Sequence, residues 1–321
     1  MIAFLSNIFG YLLNFFYNLI GNYGISIILF SLVVKLLMIP LSIKQQKSQK
    51  KSIKLQDEMK QIQFKYKNDP EKLNQATMEL YKRENMSPFS GCLLAIIQMI
   101  LLFSVFYMVR EPLTYMKKLD SEQINNYVNV LKEENLISNQ AYAQIAVISE
   151  ANNIKELQQK GDTELTETQI KIQEVFDDNL DEVCTNMDFL GIDLSKVPTQ
   201  NSGDIRVYII PVLYVISSFL SIKLTTSMQT KSKKEEIIEV EKIEDNSEEK
   251  GESDSVENKQ KEEDDDPMQQ ANKNMSMMMP IMAVSISLIA PLGLALYWLT
   301  NNLLMIAERL VLNKVVKDEE E

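Results

Sequence analysis

Gly24 to Leu41 reads GISIILFSLVVKLLMIPL, eighteen residues in which Lys35 is the single charge. No Asp, Glu, Lys or Arg precedes Lys35, and the next charge is Lys44, so the run has the make-up of a membrane-spanning helix whose positive end lies at residue 44. At about 1.5 Å per residue, Lys35 sits roughly 13 Å along the axis from Lys44, near the middle of a hydrocarbon layer about 30 Å thick. Snorkelling alone does not reach water from there. A charge at that depth costs from about 3 to more than 10 kcal/mol on an isolated helix, which makes a wet cavity or a partner the default expectation. The alternative is a lysine bent to the headgroups with local thinning of the bilayer.

Working outward from this first span at 22–43, the segment 44–87 turns basic, with Lys44, Lys47, Lys50, Lys51, Lys54, Lys60, Lys65, Lys67, Lys72, Lys82 and Arg83. The positive-inside rule places it in the cytoplasm, so the span before it runs from outside to inside. Leu55, Met59, Ile62 and Tyr66 recur at helical spacing, as do Leu73, Ala76 and Leu80. Between the two stripes, Asp69 is placed to cap and Pro70 to occupy a first helical position, which predicts an antiparallel helical hairpin. Residues 1–21 are apolar and aromatic, lack the basic start and cleavage site of a signal peptide, and carry Asn7, Asn14 and Asn18 on one side. An interfacial amphipathic helix on the outer surface fits this pattern, with a full span as the alternative.

Residues 88–109 form a second uncharged span whose one strongly polar member is Gln98, and the polar, helix-prone region 110–205 follows outside. A third span at 206–223 leads to a cytoplasmic loop at 224–273 with the composition of disorder. Sixteen acidic residues against seven lysines between Lys231 and Asp266 place nine of the twelve net negative charges there. The uncharged run from Asn274 to Ala307 is divided at Pro291, Leu292 and Gly293, giving two spans at 274–290 and 292–312 and a cytoplasmic tail at 313–321. About sixteen residues reach only about 24 Å, so the bilayer beside this pair should be thinned. The chain is thus expected to be an all-α polytopic membrane protein with five spans, its N-terminus outside and its C-terminus cytoplasmic.

The sequence has no histidine and two cysteines, Cys92 and Cys184, on opposite sides of the membrane in this topology. No zinc or thiolate chemistry is suggested, and no phosphate-binding loop, dinucleotide turn or nucleophile elbow occurs. The expectation is a protein that is not an enzyme and needs no cofactor. Nothing beyond the lysine density of the hairpin points to RNA, so no specific nucleic-acid site is assigned; anionic lipid satisfies the same charge.

Four pieces of the chain resemble the YidC-type membrane protein insertases, a family also found in mitochondria and chloroplasts. They are the first span followed by IPLSIKQQKS, the basic hairpin leading into SPFSGCLLAIIQMILLFSVFYM, FLGIDLS ahead of a proline-containing span, and MMMPIMAVSISLIAPLGLALYWLTNNLLMIAE. The resemblance implies a five-helix bundle around a hydrophilic groove open to the cytoplasm and to lipid. It also implies that Lys35, Gln98 and Trp298 line the groove. Asn301 and Asn302 either face it or pair between helices. The family's groove cation is usually arginine, whereas lysine is a compact ammonium whose charge depends on a wet surrounding. Implied partners are nascent membrane proteins and membrane lipids, with the Sec translocon and the ribosome as candidates for the basic hairpin from Lys44 to Glu84. The acidic end VVKDEEE argues against tail-mediated ribosome docking. A bacterial plasma membrane is the expected location. Two other readings remain open at this point: a channel or transporter using Lys35 and Gln98 as an anion path, and a scaffold that recruits soluble proteins.

Overall fold

The computed structural model describes residues 1–84, 90–137, 139–160, 166–176, 179–224 and 284–318. The expected acidic loop at 224–273, the methionines at 277–279 and most of the span at 274–290 lie outside these residues. The chain divides into two compact units, the first comprising Met1–Ile39, Ala95–Ser217 and Val284–Glu321, the second Pro40–Leu94 and Ser218–Ala283.

In the first unit, α1 (Ile2–Ile20) buries Ser6, Phe9, Gly10 and Leu13 at helical spacing. The small residues let its backbone come close: Ser6 Oγ lies 2.8 Å from the Ser104 carbonyl oxygen, and a Cβ on Gly10 would land on the carbonyl of Tyr115. The opposite face exposes Phe4, Ile8, Tyr11, Phe15 and Leu19. The helix ends at Gly21, whose φ of 71° is open to a residue without Cβ. A full span, the alternative to an interfacial helix, is compatible with its length and hydropathy.

The next helix, α2 (Tyr23–Lys54), continues through Pro40 and past the expected boundary at residue 43. Lys44 to Lys54 therefore extend the same helix. Charge marks where a span meets water, but a lysine-rich stretch is still a good helix former and does not stop one.

The second unit contains α3 (Gln56–Lys65) and α4 (Pro70–Arg83). Asp69 caps α4 by accepting from Lys72 N at 3.2 Å, and Pro70 takes the first-turn position, as its missing N–H allows. Thr77 Oγ1 donates to Met59 Sδ at 3.8 Å and Arg83 pairs with Glu58, so the helices lie side by side as an antiparallel pair.

After α5 (Ser90–Arg110) the chain enters a single π-helical turn at Leu113–Lys117 and then α6 (Ser121–Glu133), α7 (Ala143–Lys160), α8 (Glu167–Phe176) and α9 (Leu180–Val183). The polar region expected outside is thus folded: Ile124, Tyr127 and Leu131 of α6 join Ile145, Ile148 and Ala151 of α7 and Ile172 and Phe176 of α8, in one buried cluster that continues into the apolar helices. The rings of Tyr127 and Phe176 lie 5.0 Å apart. A two-stranded antiparallel pair follows, β1 (Asp188–Phe189) and β2 (Ile192–Asp193), joined by Leu190 and Gly191 at φ 55° and 78°. The sequence FLGIDLS is this hairpin, a small departure from an all-helical chain.

The remaining described helices are α10 (Ile205–Leu224), a short helical stretch at 284–289 that belongs to the expected fourth span, and α11 (Leu292–Asp318). The loop around the β-hairpin staples their neighbours together. Tyr23 N donates to the Asn186 carbonyl at 3.0 Å and Asn22 Nδ2 to the Asp188 carbonyl at 2.6 Å, fixing the start of α2. Leu292 N and Gly293 N donate to the carbonyls of Lys196 and Leu194 at 3.0 and 2.9 Å, which satisfies two of the orphan donors at the start of α11. Gly24 permits this close approach, since a Cβ there would meet the Phe189 ring at 2.6 Å.

Candidate functional site

Because one loop holds the starts of α2 and α11, residues along the two helices are in register. Lys35 lies twelve residues after Tyr23, about 18 Å along its helix, and Glu308 lies fifteen after Gly293, about 22 Å along its own. The two levels differ by less than a lysine side chain reaches. Lys35 Nζ meets Glu308 Oε2 at 2.6 Å, with side chains 20% and 10% exposed. Lys35 therefore has a partner, which the sequence expectation of a wet cavity or a partner left open. Glu308 Oε1 is buried and has no hydrogen-bond partner among the described residues.

Glu308 was missed in the sequence because it follows a long uncharged run and sits beside Arg309, at the point where a cytoplasmic end looks charged anyway. Counting helical rise from the turns that precede α2 and α11 would have found it. On α11, Trp298, Asn301, Met305 and Glu308 recur at three, four and three residues, so they share one stripe. Of the sequence candidates, Trp298 and Asn301 thus lie along the stripe that ends on Lys35's partner. Both are partly buried, and Trp298 packs against Tyr214 of α10 with ring centroids 6.2 Å apart. Asn302 is buried and donates to Ser217 Oγ at 3.0 Å, an interhelical pair. Tyr297, the residue before Trp298, is buried in the core.

Gln98 is exposed and makes no hydrogen bond to Lys35 or Glu308 among the described residues. It nonetheless occupies the stripe of α5 that continues through Leu101 to the buried Val105 and Met108. The inward face of α5 is covered near Arg110 and uncovered near Gln98. The same holds for α2, where Tyr23, Gly24, Ser26, Ile27, Phe30 and Ser31 are buried and no residue from Leu32 to Pro40 is.

Buried hydroxyls along these helices are mostly returned to their own backbone. Ser26 and Ser31 donate to the carbonyls four residues earlier at 2.6 and 2.7 Å, and Ser104 does the same at 2.7 Å. A small cavity lies at the other end, lined by Tyr23, Val109, Arg110, Leu194 and Gly293, away from Lys35. Tyr23 Oη and Arg110 Nε are buried there with no hydrogen-bond partner among the described residues. Arg110 stacks over the Tyr107 ring at 4.7 Å and pairs with Glu111, so this end is closed by packed side chains. Among the described residues, no three of His, Cys, Asp and Glu come together as a metal set.

A mostly helical chain with three described helices long and apolar enough to cross a membrane, one of them carrying Lys35 far along its length in an ion pair with α11, is a polytopic helical membrane protein. The family model of the 60Kd inner membrane protein matches residues 15–243 and 251–320, nearly the whole length, and the chain belongs to that family. Curated relatives bear the name membrane protein insertase YidC. That of Fusobacterium nucleatum is 42% identical over 107 residues, 33% of this chain and 52% of the relative. That of Clostridium perfringens is 48% identical over 87 residues, 27% of this chain and 37% of the relative, and that of Rickettsia prowazekii 44% over 96, 30% and 17%. The aligned stretches span about half or less of these relatives. With these relatives and its apolar helices, the chain is a multi-pass bacterial membrane protein.

Proposed function

We propose that this protein is a membrane protein insertase that passes the hydrophilic tail of a nascent membrane protein through a groove lined by Lys35, Gln98, Trp298 and Asn301. The observation that carries this reading is the placement of Lys35: it lies far from a sealed outer end, on helix faces that lose their cover as they approach it. Five spans in the plasma membrane, an outer interfacial helix at α1, an external N-terminus and a cytoplasmic C-terminus are the topology that goes with it. α1 supports that placement through Asn7, which receives Lys118, and Tyr17, whose hydroxyl accepts from Asn186 N at 2.8 Å, both on the outer region.

The physical task is to move acidic tail residues past hydrocarbon, where an unpaired carboxylate costs several kcal/mol or more. A polar groove that reaches Lys35 from the inner side shortens that path, and the ammonium compensates the carboxylate at its innermost point. The apolar segment then leaves sideways into lipid. Burying about twenty apolar residues supplies the driving force, and no nucleotide or catalytic group takes part. The basic helix end at Lys44 and the α3–α4 pair are the candidate contacts for the ribosome, the Sec translocon and anionic lipid.

The test is reconstitution. Purified protein in liposomes should protect from protease a short single-span substrate with an acidic N-tail, well above empty liposomes, and Lys35→Arg should retain this. Protection equal to that of empty liposomes would overturn the reading.

A further inference from the structure

We propose that Glu308 is the specificity-determining residue of this groove: an internal carboxylate that occupies Lys35 and must be displaced by the carboxylate of an incoming tail. The proposal rests on the insertase reading above. Three observations support it. Lys35 and Glu308 meet at 2.6 Å on two helices whose starts are stapled by one loop, so the contact is set by the fold and not by chance rotamers. Glu308 also shares its stripe with Trp298 and Asn301, so a tail lying along that stripe arrives at Glu308. Finally, the contact is undersatisfied: Glu308 Oε1 is buried without a donor, and the ammonium offers three donors of which this contact uses one.

The consequence is competition at the ammonium. A paired Lys35 presents a dipole and not a free positive charge, and Glu308 repels the first acidic residue that approaches. A tail with one carboxylate replaces like with like and gains little. A tail with two can hold Lys35 with one and offset the lost contact with the next, which makes entry steep in tail charge. Lysine suits this exchange better than arginine, because a guanidinium would hold Glu308 through two parallel hydrogen bonds and release it reluctantly. Arg309, the next residue, projects from a different side of the helix and does not replace Glu308 at Lys35.

The experiment uses the full chain in liposomes with three single-span substrates whose N-tails carry zero, one or two aspartates, and reads initial rates of protease protection. Wild type should discriminate mainly between one and two aspartates. In Glu308→Gln the ratio of the one-aspartate rate to the zero-aspartate rate should rise about tenfold, and the step between one and two should shrink. If Glu308→Gln does not fold, Glu308→Asp, which weakens the contact by one methylene, should shift the same ratio by about threefold. An unchanged or lowered ratio in a folded variant overturns the role of Glu308 while leaving the insertase reading intact. If wild type protects no substrate above empty liposomes, both fall.

Discussion

Lys35→Ala removes the ammonium that Glu308 Oε2 contacts at 2.6 Å and leaves a carboxylate only 10% exposed, with its other oxygen already without a donor. Removing one partner of a buried pair typically costs about 3–5 kcal/mol, because the remaining charge keeps its desolvation and loses its compensation. With side chains 20% and 10% exposed, the pair is not fully dry, so the lower end, about 3 kcal/mol, applies. Lys35→Ala/Glu308→Gln removes the stranded charge as well and should recover about 2 kcal/mol of that, since replacing both members of a buried pair is often close to neutral. In thermal unfolding in detergent, at about 1.5 °C per kcal/mol for a chain of this size, the single variant should melt about 4–5 °C below wild type and the double variant within about 2 °C of it. Equal destabilisation of the two variants, or a loss below about 1 kcal/mol in the single one, would refute the pair. The outcome also governs how an insertion defect is interpreted: loss of activity in Lys35→Ala alone confounds a missing attraction with a stranded carboxylate, and only the double variant separates them.

Other consequences follow from the packing outside this pair. Gly10→Val places side-chain atoms where the Tyr115 carbonyl lies and should detach α1 at a cost of about 3 kcal/mol or more, seen as proteolysis within residues 2–20 that wild type resists. Leu190, at φ 55° and 86% exposed, sits in a hairpin turn that favours Asn, and Leu190→Asn should raise stability by about 1 kcal/mol in denaturant titration; destabilisation would contradict the turn. Burial pushes the Cys184 thiol pKa up, which lowers its thiolate fraction at neutral pH. In a Cys92→Ser background, a maleimide should therefore label native protein slowly and unfolded protein fast, and rapid native labelling would show that the α7–α9 core opens.

What was legible in the sequence was what depends on local chemistry. Asp69 and Pro70 sit one residue apart and specify a helix start by themselves, and the structure has that start. Lys35 stood out because depth along a helix is a count of residues. By contrast, α2 running on to Lys54 was hidden, since the positive charges that locate the membrane surface say nothing about where the helix stops. The β-hairpin at 188–193 was hidden for another reason: its turn has a leucine where a glycine or asparagine would signal it, and its staples are Asn22 and Asn186, far apart in the chain. Glu308 combines both difficulties. Its identity as Lys35's partner depends on the register of α2 against α11, and that register is fixed by backbone carbonyls of Leu194 and Lys196, which carry no signature in side-chain sequence.

The most direct measurement of the central claim is where a substrate's tail lies while it is being inserted. A photo-crosslinking amino acid placed singly at Gln98, Trp298 or Asn301, and at Phe4 on the exposed face of α1 as a control, would be challenged with a stalled nascent chain bearing an acidic tail. Crosslinks to the tail from 98, 298 and 301, lost when the tail aspartates become asparagines and absent from position 4, are the predicted result. Crosslinks of equal strength from position 4, or none from the three groove positions, would contradict the groove at Lys35.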